Sequence, residues 1–442
     1  FRMQDGLLTG AGTLETPGLL TWNAGTMSGS GTTRTHGGLA MNVNAVGAAT
    51  KTLAGSRTLD VAGGNAIWTA GSIDFGAGGA TLRNQASFTV TGPTRLLSAS
   101  GGPGQIVNEG TFTLNLDNPF AQITVMPNTG FEHSGTLDLQ RGVLELRGTF
   151  QQTAGVTRVS SLGLLRNLVE ILEFEGGVLA GNGLIHANVE SAAVMEPGFP
   201  DATGTLSSQG RITLLPGSEL RTEIAGLQQG VSSDFVTTTE TIALGGDLRV
   251  SFLSGFENTI APGDTLSVME SHPSQPLTGV FANVASGERV ITTPDLGSFV
   301  VRYGAGSPSG PHRVVLSEYR AFAPETTLPV HGSAQGGEIT FTLAGVPVVV
   351  TTTPGMTAEQ VAAAIADAIN QNDDLARLGI AAVAAGTLVT ISGAVDSLVV
   401  SDSGIVIGDL PEVPALSLPL QVLLASLLVA MGARRSRRLA HA

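Results

Sequence analysis

The stretch Trp22-Asn23-Ala24-Gly25-Thr26-Met27-Ser28-Gly29-Ser30-Gly31 and its echo Trp68-Thr69-Ala70-Gly71-Ser72-Ile73-Asp74-Phe75 decide the fold. Both have the form Trp-x-Ala-Gly-(Thr/Ser)-apolar. Lys51–Leu59 precedes the second copy and Ala80–Val90 follows it, again as short apolar–polar alternations cut by glycine. Such self-similarity sets the architecture before any other signal and points to a stack of short strands. The two tryptophans read as core fillers at equivalent positions in successive repeats; stacking on sugars is the other reading.

The same texture extends from about residue 6 to 196. In Gly110–Leu116, Phe112, Leu114 and Leu116 fall on one face, and Gly135–Leu139 and Gly142–Leu146 repeat the pattern. Period-2 alternation bounded by Gly or Asn marks half-buried strands. Helix-period windows are nearly absent. The exception, Ser161–Leu172, reads as a short helix or as a cap over the stack. Coils of roughly 20–25 residues give about eight turns over this region, a rod roughly 40 Å long.

Composition bounds the function. Glycine supplies 59 of 442 residues and only 13% are charged, so Ser, Thr, Asn, Gln and Gly must cover the surface. The hydrophobic share of 42% excludes a disordered chain. The net charge is −14, and the basic residues Arg434, Arg435, Arg437 and Arg438 lie together near the C-terminus. The remaining body is more acidic still and repels nucleic acid and anionic lipid. Zero cysteines exclude disulfides, thiolate metal sites and cysteine nucleophiles. The chain starts at Phe1, with no visible signal peptide, and reads as lacking its true N-terminus.

From Glu196-Pro197-Gly198 to about 320 the texture changes. Gly204-Thr205-Leu206, Leu215-Pro216-Gly217-Ser218-Glu219-Leu220, Ser233-Asp234-Phe235, Leu244-Gly245-Gly246-Asp247-Leu248 and Pro262-Gly263-Asp264-Thr265 are strands with tight turns. With the Gly/Thr repeats before them, these motifs resemble the extracellular passenger regions of bacterial autotransporter-like surface proteins. The resemblance covers residues 1–320. It implies a right-handed parallel β-helix over 1–196 and a β-rich closing segment over 197–320, and it leaves the ligand open.

A Pro/Ser/Gly-rich linker is expected at 321–335 and a small α+β module at 336–410. There, Glu338–Leu343 and Val346–Val350 form a hairpin. Thr357-Ala358-Glu359-Gln360 is a capping box, and Val361, Ile365, Ala368 and Ile369 make one apolar helix stripe. Strands return at Thr387–Ile391 and Ser397–Val400, completing β-β-α-β-β. This pattern resembles add-on modules of flagellar, phage-tail and bacterial surface proteins.

Residues 411–442 decide the expected location. Ala415 to Ala433 is 19 residues without a charge, just long enough to span a bilayer. The basic cluster Arg434-Arg435-Ser436-Arg437-Arg438 then holds that end inside, leaving the body outside. Val413-Pro414-Ala415-Leu416-Ser417 is similar to the Ile-Pro-Thr-Leu-Ser form of bacterial C-terminal sorting signals, related in layout to the PEP type. The Trp that often follows is absent and Pro419 intrudes. The resemblance implies cleavage near Pro414 by a dedicated membrane protease; the alternative is a permanent transmembrane anchor.

No catalytic, metal or cofactor motif emerges. The histidines, His36, His133, His186, His272, His312, His331 and His441, lack ligand spacing. Lys51, the only lysine, follows no phosphate-binding loop. Glu170, Glu173 and Glu175 are the densest acidic cluster and read first as a solvated face, with Asp373-Asp374 in a turn after the helix. The expectation is therefore a non-catalytic, exported cell-surface structural or adhesion protein with an extracellular glycan or protein ligand. One alternative is a glycan-active β-helix enzyme, a polysaccharide lyase or hydrolase with a site assembled from separated coils. The other is a phage or pilus-type fibre, which would be trimeric.

Overall fold

The computed structural model describes residues 1–43, 50–92, 95–98, 102–322, 325–377, 380–393 and 395–408. The chain divides into two compact units, Phe1–Ala321 and Phe322–Ala442.

The first unit is a β-solenoid with three parallel faces. Its first coil consists of Arg2–Met3, Leu7–Leu8 and Thr13–Thr16; its second, of Leu20–Trp22, Gly25–Met27 and Thr32–Thr35. Arg2 pairs with Thr21, Leu7 with Thr26 and Thr13 with Thr32, one constant offset of 19 residues on all three faces. Later coils vary: Thr32 pairs with Thr58, but Leu172 with Val189. Thr136–Leu146 is a single 11-residue strand that turns a corner, pairing through Thr136–Leu139 on the first face and Gly142–Leu146 on the second.

The third face is a 12-stranded sheet running from Thr13–Thr16 to Thr278–Gly279. Nine of its strands, Thr13–Thr16 to Val189–Ser191, precede residue 196, giving about nine turns where eight were expected. The shorter coils account for the difference.

Stacking does not stop where the sequence texture changes. Val194–Pro197 pairs in parallel with Glu219–Ile224, which pairs in parallel with Asp247–Phe252. Apart from isolated bridges such as Gly181 to Gly198 and Ile224 to Ser233, antiparallel pairing begins beside Leu266–Glu270, which takes Arg313–Ala321 as its neighbour, followed by Gly297–Arg302 and Arg289–Ile291. Phe252, Phe256, Phe299 and Tyr319 cluster here, with the Phe299 and Tyr319 ring centres 4.9 Å apart.

Inside the coils each inward position forms a column. Met3, Trp22, Met41, Trp68 and Val90 follow one another on the first face, all at most 5% exposed. The tryptophans thus share a column, but Met41 separates them, so they are not in successive coils. Trp68 Nε1 donates to the carbonyls of Ala70 and Gly71. A second interior stack runs through Phe88, Phe112, Phe131, Phe150 and Phe174, with neighbouring ring centres 5.1–5.9 Å apart. Burying each ring contributes about 1.5–3 kcal/mol.

Where the third face turns into the first, the column is polar. Asn84 Nδ2 donates to Asn108 Oδ1 at 2.7 Å, and Asn108 Nδ2 lies 3.0 Å from His133 Nδ1. Because Nδ1 faces a donor, His133 is the Nε2–H tautomer, donating to the Val156 carbonyl. Gln152 continues the column, accepting from Thr157 and donating to the carbonyls of Gly176 and Val178. All four are at most 2% exposed. Burial without these partners would cost about 1–3 kcal/mol per group.

Two expected elements take another form. Ser161–Leu172 is neither helix nor cap: Gly163–Asn167 is a second-face strand, burying Leu165 and Asn167 and turning Leu164 and Arg166 outward. Its leucines sit on both sides, which mimics a helical stripe. Within the 321–335 linker, Thr326–Gly332 is a strand that buries Leu328 and Val330 and pairs with Leu388–Ile391 and Ile405–Ile407. Pro329 and Gly332 disguise that alternation.

This strand makes the second unit larger than β-β-α-β-β. Gly337–Leu343 lies between Val346–Thr352 and Val395–Val400 in a three-stranded sheet, and a four-stranded sheet is built around Thr326–Gly332 and Leu388–Ile391. The helix Ala358–Asn370 carries the capping box of Thr357 and Gln360 and buries Val361, Ala362, Ile365, Ala366 and Ile369. Ala368 of the expected stripe is half-buried. Asp373-Asp374 opens a short second helix, Asp373–Arg377, and does not form a plain turn. Buried Asp402 accepts from the N–H groups of Gln335, Gly336 and Gly404 and from the Thr352 hydroxyl. Donation from Gln335, then Thr352, holds its carboxyl down at about 2.

Backbone closeness at the corners yields a test. A Cβ on Gly135 would land on the Gly110 carbonyl oxygen, and one on Gly155 would land on that of Gly135. Gly135→Ala should therefore lower the unfolding free energy by about 2–4 kcal/mol, read by urea denaturation.

Candidate functional site

The outward column of the third face is the most ordered array of chemistry on the solenoid. In register it runs Glu15, Arg34, Asp60, Arg83, Val107, Glu132, Gln151, Glu173, Glu190 and Thr213. Beside its start runs a threonine column, Thr13, Thr32, Thr58 and Thr81. Parallel pairing places successive members about 4.8 Å apart.

The early half neutralises itself. Arg34 Nε meets Asp60 Oδ2 at 2.8 Å and its other arm meets Glu15 at 3.4 Å, while His36 Nε2 is 2.8 Å from Glu15. Arg83 grips Glu109 through two nitrogens, and Gln85 donates to the same carboxylate. The Arg83 hydrogen bonds hold Glu109 below the usual carboxylate range against the opposing effect of burial.

The later half is acidic. Among the described residues, Glu132, Glu173, Glu175 and Glu190 have no ion pair. Glu175 accepts from Gln151 Nε2 at 2.7 Å. Glu173, Glu175 and Glu190 line one shallow cleft of about 230 Å³ with Phe174, Ala192 and Leu215. Glu132 borders a neighbouring cleft of about 140 Å³. Glu170 of the same sequence cluster lies elsewhere, in a corner cleft of about 420 Å³ with Gln105, Asn128, Thr129 and Arg147.

A second acidic group surrounds Asp234, which is fully buried. Its carboxylate accepts from the N–H groups of Gly204 at 2.8 Å and Glu223 at 2.9 Å, tying two later turns together. Burial pushes Asp234 up to about 7; the two N–H donors oppose this, and the nearby charges of Glu223 and Glu196 add to it. Glu223 is also raised, first by burial and then by Glu196 and Asp201. Among the described residues, no group of three His, Asp or Glu is placed to hold a metal ion.

The sequence-derived candidates separate. His36 meets Glu15 beside the start of the charge column, His133 sits in the buried ladder, His272 against Ser274 and His312 3.6 Å from Glu270. Trp22 and Trp68 are core. The sorting motif Val413, Pro414, Ala415, Leu416 and Ser417 and the cluster Arg434, Arg435, Arg437 and Arg438 lie outside the described residues, as does His441. No helix among the described residues is long and apolar enough to cross a membrane. Glu132 and Glu190 carry no sequence signal toward Glu173; only the register joins them. Neither a protein-family model nor a curated protein matches this chain.

Asp234 and His133 make stability respond to pH in opposite senses. Asp234 is raised in the fold, so its contribution is complete below 3.8 and is lost as pH rises through about 7. Burial depresses His133 below 6.5, so its contribution is present above that value and is lost as pH falls. Replacing Asp234→Asn should isolate the first effect: the unfolding free energy of the wild type minus that of the variant should fall as pH rises from 3.8 to about 7. Urea titrations across that range, repeated with His133→Gln, check the assignment.

Proposed function

We propose that this chain is a non-catalytic, exported cell-surface protein, autotransporter-like in its body, which presents a solenoid stalk for adhesion or envelope assembly. The observation that carries the reading is the third-face array, with in-register threonines beside charges paired to one another. A hydroxyl column repeating about every 4.8 Å suits hydrogen bonding to an extended glycan or protein surface. The coils wind right-handedly in this reading, the hand that parallel crossovers favour. The tail 411–442 acts as a membrane-spanning sorting signal. Val413, Pro414, Ala415, Leu416 and Ser417 form the processing motif, and Arg434, Arg435, Arg437 and Arg438 stop transfer, so the body stands outside the cell or is released after cleavage.

A second reading, the glycan-active enzyme, is favoured by the three glutamates of the Glu173–Glu175–Glu190 cleft. Paired carboxylates across a sugar are the chemistry of glycoside hydrolysis. Against it, the cleft is shallow and none of its lining residues is cationic.

Two measurements test these readings. On a panel of glycans and matrix proteins the purified protein should bind at least one member, and in a parallel assay it should release no fragments from polysaccharides. Fragment release abolished by Glu173→Gln together with Glu190→Gln would replace the adhesion reading with the enzymatic one. Mass spectrometry of surface material should find a C-terminus near Pro414; recovery of intact Arg438 would sink processing and leave a permanent anchor.

A further inference from the structure

The first two coils are equivalent residue for residue at the constant 19-residue offset, so each position in the second shows what its counterpart in the first is built to meet. Gly31 and Gly37 of the second coil match Gly12 and Gly18 of the first. A Cβ on Gly31 would land on the Gly12 carbonyl oxygen, and one on Gly37 would lie 2.5 Å from the Pro17 carbonyl oxygen. Neither has a positive φ. Contact with the preceding coil is therefore what demands glycine at both positions.

Gly12 and Gly18 lack that reason within this chain. A Cβ on either would have nothing within 4 Å, and neither has a positive φ. Among the described glycines only Gly263 shares this combination, and it sits in the turn Pro262-Gly263-Asp264, outside the coils. Glycine costs backbone entropy wherever it is not needed. The apolar residues tell the same story. Phe1 is 55% exposed, whereas Leu20, its equivalent in the second coil, is fully buried.

The hydrogen bonds have a direction that completes the surface. In the second coil Thr21, Asn23, Thr26, Ser28, Gly31 and Thr32 donate their N–H groups to carbonyls of the first coil. By the same offset, Arg2, Gln4, Leu7, Thr9, Gly12 and Thr13 aim theirs away from the second coil, at the open edge. We infer that this edge is a stacking surface for one more solenoid coil of the same cross-section, laid on in parallel with its corner carbonyls over Gly12 and Gly18. A second copy of this chain does not supply such a coil head to tail. The last parallel strand of its second face, Leu266–Glu270, is covered by the antiparallel strand Arg313–Ala321.

The test appends a copy of Leu20–Gly38, one 19-residue coil, directly ahead of Phe1 in the full chain. Hydrogen exchange at Arg2, Gln4, Leu7, Thr9, Gly12 and Thr13 should slow on the order of 100-fold relative to the chain without the added coil. Gly12→Ala and Gly18→Ala should leave the present chain's exchange and melting unchanged, yet abolish the gained protection in the extended one. Unchanged exchange on extension overturns the inference, as does protection that survives both alanines. Slow exchange of these amides in the present chain, together with a dimer by sedimentation, would assign the edge to a second copy and likewise overturn it.

Discussion

The backbone of each coil lies directly on that of the coil before it, and the rest of the solenoid follows from that contact. Parallel strands about 4.8 Å apart leave the faces room for side chains, in and out by turns. At the corners, where the chain turns over an earlier turn, the same spacing leaves no room for a Cβ. Glycine then appears wherever a corner sits squarely on its predecessor, as at Gly110, Gly135, Gly155 and Gly177. Glycine at these corners is a consequence of stacking, whereas others, such as Gly217 and Gly287, stand at positive φ in open space.

Stacking also forces like onto like. An inward residue sees its counterparts above and below, so a large ring is best followed by another ring, and a buried amide by another hydrogen-bonding group. The phenylalanine stack and the Asn84–Asn108–His133–Gln152 ladder are two answers to one demand, and they run side by side. Buried cations meet it a third way. Arg57, 2% exposed, donates to the Thr33 hydroxyl and to the carbonyls of Ser28 and Gly10. Its guanidinium thereby ties its own coil to the two before it, and burial lowers its pKa. An arm with five donors is suited to a corner that exposes only acceptors.

How much of this was legible depends on whether a feature lives in one strand or between strands. Alternation within a strand is local, so Phe112, Leu114 and Leu116 declared their shared face without any partner. Register is not local. Coils of unequal length put Met41 between Trp22 and Trp68, although the two Trp-x-Ala-Gly motifs read as neighbours. The strand at Gly163–Asn167 failed for another reason: its leucines point both ways. In the second unit the capping box was readable because its partners are three residues apart. Thr326–Gly332 was not, since its partners lie some 60 or more residues later.

The candidate site shows the same division. Glu173 and Glu175 announced themselves by adjacency, whereas Glu190 joins them only through the 17-residue coil that pairs Glu173 with it. The early column carries the opposite lesson. Glu15, Arg34 and Asp60 are scattered in sequence and look like sparse surface charge, yet they compensate one another along the stack. A solenoid can therefore hold its few charges in ordered pairs and leave an acidic stretch elsewhere on the same face. That asymmetry distinguishes the two ends of the third face chemically. The early end offers hydroxyls beside neutralised pairs, suited to uncharged polar ligands. The later end offers carboxylates, which repel anionic surfaces. One continuous β-sheet presents both, because nothing in the stacking rule constrains what points outward.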